Sequence, residues 1–309
     1  GGDGTATVTG TGSSWSNSGD VYIGGSSSSA GGTGTVSVLD GGTLSVSGAT
    51  KIYSGSTLTL SGAASSLELS GTFTDEGTFD WQSGGVTLNG ASASWDYGAS
   101  DFTVGDTTTQ SFTLQGGADM SNTKGYVGYL SGSDGTATVT GTGSSWSNSA
   151  ALFVGDLGTG TLTVADGGSV SNTNGYLGYY SGGDGTATVT GTGSSWSNSA
   201  TLYVGRSGTG TLTVADGGSV SNTAGYLGLY SSGDGTATVT GTGSSWSNTG
   251  NLIVGYSGTG TLNIGHGGAV TVGLDLSINS TSTLDIILSS ISDPLLDVGG
   301  NVTLNGSLN

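Results

Sequence analysis

The chain has no cysteine, a single proline (Pro294), a single histidine (His266) and only three basic residues among 309. The missing cysteines exclude a disulfide framework and a thiol nucleophile. Three basic against 21 acidic residues give a formal charge of −18. A surface with so few cations has nothing to neutralise a row of phosphates, so nucleic acid is excluded as a partner. The same balance argues against anionic membranes and against tight binding of acidic polysaccharide. No run of about 18 apolar residues exists to cross a membrane as a helix. Glycine is abundant, at 65 residues, but without the Gly-X-Y period of collagen.

What is present is repetition. DGTATVTGTGSSWSN runs over Asp3–Asn17, Asp134–Asn148, Asp184–Asn198 and Asp234–Asn248. Between the last three copies lies GTGTLTVADGGSVSNT, at Gly158–Thr173 and again at Gly208–Thr223. Aligned on Val189 and Val214, the two motifs are halves of one unit. Trp196 then falls against Val220, Asn198 against Asn222, and Val204-Gly205 against Leu227-Gly228. The Val-Gly or Leu-Gly pair begins at Val104, Val127, Val154, Leu177, Val204, Leu227 and Val254, a shorter step alternating with a longer one. A mean period of about 25 predicts one coil of a parallel β-helix.

Strict alternation of apolar and polar residues makes each coil a set of short half-buried strands. In the first, Ala187 and Val189 point inward and Thr186, Thr188 and Thr190 outward. The second is centred on Trp196 or Val220. The third turns Leu202 and Val204 inward and Tyr203 outward. Glycine at the corners allows positive φ. No stretch has an apolar period of the helical kind, so no helix is expected. The fold class is all-β: a single-stranded parallel β-helix, right-handed, of about 12 coils, a rod on the order of 58 Å long. Residues 1–272 read as repetitive coils, irregular at about 45–85. Phe73, Phe79 and Trp81 are expected there to fill an irregular coil or a bulge. Residues 273–309, richer in Leu and Ile around Pro294, read as divergent coils that close the end and bury apolar side chains. The chain opens at Gly1-Gly2-Asp3 inside a repeat, and reads as a fragment or mature segment of a longer secreted chain.

Stacking places like above like, which turns each motif position into a ladder. Asn122, Asn148, Asn172, Asn198, Asn222 and Asn248 recur once per coil and are expected to form a stabilising amide ladder at a corner. Trp146, Trp196 and Trp246 alternate with Val170 and Val220. That exchange assigns them to the core, with small residues making room, rather than to sugar stacking. Tyr22, Tyr126, Phe153, Tyr176, Tyr203 and Tyr226 precede the Val-Gly, Leu-Gly or equivalent position and face outward. They form a candidate contact stripe, or a cross-strand ladder that only stabilises the sheet. Asp134, Asp184 and Asp234 are candidate Ca²⁺ ligands, with a solvated turn as the competing reading. Asp166 and Asp216 share a second position. No unique carboxylate pair or histidine cluster marks a catalytic site, and no cofactor is implied. The paired outward threonines match the flat array of β-solenoid ice-binding proteins, or they answer only to β-propensity.

LYVGRSGTGTLTVADGGSVS (Leu202–Ser221) resembles the repeats in passenger regions of bacterial type V autotransporters and of proteins bearing a PEP-CTERM sorting tail. The resemblance covers most of Gly1–Val272. It implies a secreted parallel β-helix displayed at the bacterial cell surface or in an extracellular matrix, and it brings no catalytic residues. The leading expectation is an extracellular structural or adhesive protein, not an enzyme. Its partners would be itself, head to tail or within a longer parent chain, and glycans or neighbouring cells. A glycan-binding or ice-binding module comes second and a polysaccharide-degrading β-helix enzyme third.

Overall fold

The computed structural model describes residues 2–287 and 295–309. Every strand pairing between named strands is parallel, and the described residues contain no helix. The strands form a three-sided solenoid. Face 1 consists of a four-stranded sheet, from Gly4–Thr9 to Thr78–Trp81, followed by a nine-stranded sheet from Phe102–Val104 to Val302–Leu304. Face 2 has 13 strands, from Ser14–Asn17 to Ser307–Leu308, and face 3 has 12, from Val21–Ile23 to Leu296–Val298. Together these make twelve complete coils among the described residues. On face 2 of the regular part Thr186 stands opposite Thr211 and Thr211 opposite Thr236, so each coil takes about 25 residues.

Register follows the apolar alternation, because a slip of one residue would turn every side chain to the wrong side. Val139, Val164, Val189, Val214 and Val239 therefore form one continuous inner column, each fully buried. On the outside, Thr186 and Thr188 stack on Thr211 and Thr213, and these on Thr236 and Thr238.

The interior alternates between two kinds of coil. One contributes Gly175, Ala187 and Trp196 to the core; the next contributes Leu202, Leu212 and Val220. The same pairing of sets recurs on either side. Trp146, Trp196 and Trp246 are completely buried, as the exchange with valine requires. The reason for Gly175 is then steric. A Cβ there would lie 2.8 Å from Trp196 Cζ2 and 2.9 Å from Leu202 Cδ1, and closer still to Asn198 Oδ1. Large and small residues thus balance within a coil, and the volume enclosed stays near constant along the rod.

Two expectations change at the ends of the regular region. Sixteen steps along the strand order separate Gly4–Thr9 from Asp134–Thr140, one more than five coils of three. The first copy of the motif consequently lies on faces 1 and 2, and the later copies on faces 2 and 3. The slip falls in the irregular stretch, where the coils shorten: Thr57 already stands opposite Thr78, and Ser66 opposite Gly85. It is a run of tight coils rather than a bulge. Phe73 and Trp95 are buried there, with centroids 4.7 Å apart, and Phe79 and Trp81 pack against them half-buried. The second change concerns the tail. It continues the solenoid but leaves Val302, Leu304 and Leu308 exposed instead of closing over them. Pro294 lies outside the described residues.

Candidate functional site

The aromatic stripe forms on face 1 because each Gly-Tyr-Leu or Leu-Tyr-Val strand turns its middle residue outward. Tyr126, Phe153, Tyr176, Tyr203 and Tyr226 occupy successive rungs. Their ring centroids are 4.8, 4.8, 5.0 and 5.4 Å apart, with interplanar angles of 6°, 10°, 2° and 16°. The stack ends against Ile253 above and Thr103 below. Tyr22 is not part of it. The slip in phase carries Tyr22 to face 3, where it stands opposite Lys51 and donates its hydroxyl to Asp20 Oδ2 at 2.8 Å.

Stacking along the axis has a chemical consequence. Each ring covers the face of its neighbour, so the row presents ring edges to solvent. A sugar packs its C–H surface on an aromatic face, not on an edge. The five rings are therefore a cross-strand ladder, contributing roughly 0.5–1.5 kcal/mol per pair beyond burial.

A second group of side chains flanks the ladder, at the corner after the Val-Gly or Leu-Gly step. It comprises Tyr129, Tyr179, Tyr180, Arg206, Tyr230 and Tyr256. The corner is glycine because Gly205 has φ 69° and its Cβ would collide with the Asp234 backbone. The sequence reading missed this group. Its signal was the variable pair after each glycine (GYY, GRS, GLY, GYS), which carries no alternation to say which way it points. Tyr179 packs edge-on against Phe153 and Tyr176 at 5.0 and 4.9 Å. Arg206 places its guanidinium 4.3 Å from the Tyr179 ring and 4.8 Å from that of Tyr230. Tyr180 and Tyr230 are each 47% exposed and Tyr256 is 59% exposed.

The asparagines end their face 3 strands at the corner, where they are buried, and they join in pairs rather than in one ladder. Trp196 Nε1 donates to Asn172 Oδ1 at 2.7 Å, Asn172 Nδ2 to Asn198 Oδ1 at 2.6 Å, and Asn198 Nδ2 to the Ser221 carbonyl at 3.3 Å. The same relay joins Trp146 to Asn122 and Asn148, and Trp246 to Asn222 and Asn248. It satisfies an indole N–H that would otherwise be orphaned in the core. In the irregular stretch Asp75 takes the asparagine position beneath Trp95. There Asp75 Oδ1 and Trp95 Nε1 both lack a partner, and burial pushes the Asp75 carboxyl above its ordinary range.

The aspartates do not converge. Asp134, Asp184 and Asp234 are exposed and alternate with Thr159 and Thr209, so like carboxylates stand two rungs apart. Asp166 and Asp216 have φ 51° and form Asp-Gly turns, accepting from Thr140 and Thr190 at 3.3 and 3.4 Å. Among the described residues no three His, Cys, Asp or Glu side chains gather as metal ligands. Asp156, like Asp75, is withdrawn from solvent. It is 3% exposed, its Oδ1 has no hydrogen-bond partner, and burial raises its pKa to about 6. His266 lies exposed in a turn. Searches of protein families, curated proteins and solved structures find no match to this chain.

Proposed function

We propose that this protein is an extracellular structural or adhesive β-solenoid of a bacterial surface, filament or matrix, without enzymatic activity. The observation that carries the reading is the uniformity of the rod. One apolar interior runs through every coil, and the outside repeats the same small hydroxyl side chains rung after rung. Such a body is a spacer or a lattice element, since function is displayed along an axis rather than gathered in a cleft. Its acidic surface keeps rods apart laterally. The exposed Val302, Leu304 and Leu308 would be covered by a further rung, of a longer parent chain or of a neighbour placed head to tail.

Immunogold labelling of intact and permeabilised cells of the source organism tests location. Label on the outside of intact cells is expected. Label that appears only after permeabilisation overturns the proposal. Negative-stain imaging of the native material distinguishes isolated rods from filaments.

A further inference from the structure

The corner group beside the aromatic ladder goes beyond a spacer role, because its rings reach further into solvent than the ladder's and it holds a donor without an acceptor; Tyr180 packs edge-to-face on Tyr179 at 4.5 Å, and Arg206 lies over one side of Tyr230. Tyr180 and Tyr230 are each 47% exposed. They belong to one column of the solenoid. Tyr180 N–H donates to the Asp156 carbonyl at 3.0 Å, and Tyr230 N–H to the Arg206 carbonyl at 2.9 Å, the same position two coils on. Two rungs are about 10 Å. That distance is close to the repeat of an extended β-linked glycan, in which every second sugar presents the same side.

Arg206 stands in the intervening coil. Lys51 is paired with Glu76 at 2.6 Å and Lys124 with Asp101 at 3.4 Å. Among the described residues the Arg206 guanidinium has no carboxylate partner. It is held instead between the rings of Tyr179 and Tyr230. A guanidinium lying over a ring keeps its N–H groups in its own plane, pointing past the ring edge, where a ligand oxygen can take them. Asp184 and Asp234, exposed and each four positions beyond a corner tyrosine, open the strands that follow the corner and offer acceptors there. Rings, a planar donor and flanking carboxylates are the groups that recognise a sugar: apolar C–H surface on the rings, hydroxyls on the ions.

We propose that Tyr180, Arg206 and Tyr230 form a binding platform for an extended, uncharged β-linked polysaccharide lying along the solenoid axis. The charge balance decides against an acidic glycan. Arg206 is a single cation in a chain of net charge −18, so a polyanion would be repelled.

The test is isothermal titration of the whole chain with cellobiose, cellohexaose, chitohexaose and an oligoguluronate. Tyr180→Ala, Tyr230→Ala and Arg206→Ala are compared with wild type, and Thr188→Ser serves as a surface control. Circular dichroism confirms that each variant keeps its sheet. Binding of at least one neutral hexasaccharide is expected, at least tenfold tighter than cellobiose because two rings must be spanned. Each platform variant should weaken it at least tenfold, and Thr188→Ser should not. The proposal is overturned if neither hexasaccharide binds, if the folded platform variants bind like wild type, or if the oligoguluronate binds best. Arg206→Lys adds a check on geometry. It keeps the charge but loses the planar fork, and should recover little of the affinity.

Discussion

If a coil is the unit of packing, the cost of emptying its largest side chain should be recoverable within that same coil. Trp196→Val removes most of a fully buried indole and the donor to Asn172 Oδ1 at 2.7 Å. The cavity and the orphaned amide oxygen together should cost on the order of 3–5 kcal/mol. Filling the other two inward positions alone, with Gly175→Leu and Ala187→Leu, should also destabilise. A Cβ at Gly175 already meets Trp196 Cζ2 at 2.8 Å, and overpacking of this kind costs about 1–3 kcal/mol. The triple variant reproduces the interior of the neighbouring Leu202–Leu212–Val220 coil. The Trp196 clash is gone and the volume restored. The unpaired Asn172 oxygen remains, at about 1–3 kcal/mol, and the leucine replacing Gly175 must still settle against Leu202 Cδ1 and Asn198 Oδ1. Urea unfolding followed by circular dichroism, with hydrogen exchange to localise the change, measures each variant. Strong favourable coupling is expected. A triple variant as unstable as the sum of its parts would refute the argument, and would mean that side chains balance across coils rather than within them.

Burial of Asp156 favours its neutral form, so its pKa of about 6 in the folded chain lies above an ordinary value near 3.8. The folded state therefore holds the proton more tightly. The carboxyl leaves stability unaffected below about pH 4, costs stability as pH rises toward 6, and reaches a full cost of about 3 kcal/mol above that. Asp156→Asn should accordingly stabilise the chain at pH 7.5 and not at pH 3.5, and melting curves of both proteins across that range check it. Asn222→Leu should cost roughly 2–5 kcal/mol in urea, because Trp246 Nε1 and Asn248 Oδ1 lose partners at 2.7 and 2.5 Å. Lys51→Met should leave the urea midpoint nearly unchanged, since the ion pair with Glu76 is partly exposed, and any effect should vanish in high salt.

Composition and repetition determined the architecture before any contact was known. A period of about 25 residues with alternating strands allows like positions to stack in only one register. That register fixed the inner valine column, the buried tryptophans and the threonine array. It could not say which face a strand occupies. Every face is a flat parallel sheet with one inward side, so the same TATV strand fits face 1 near the start and face 2 later. Only the count of strands through the tight coils moved Tyr22 away from the other aromatic residues. Alternation likewise showed that the asparagines recur, but not that each pair completes an indole hydrogen bond one coil away. The corner residues were the least legible. Tyr180, Arg206 and Tyr230 follow glycines with positive φ, where the two-residue period stops, and they meet only because the coils stack.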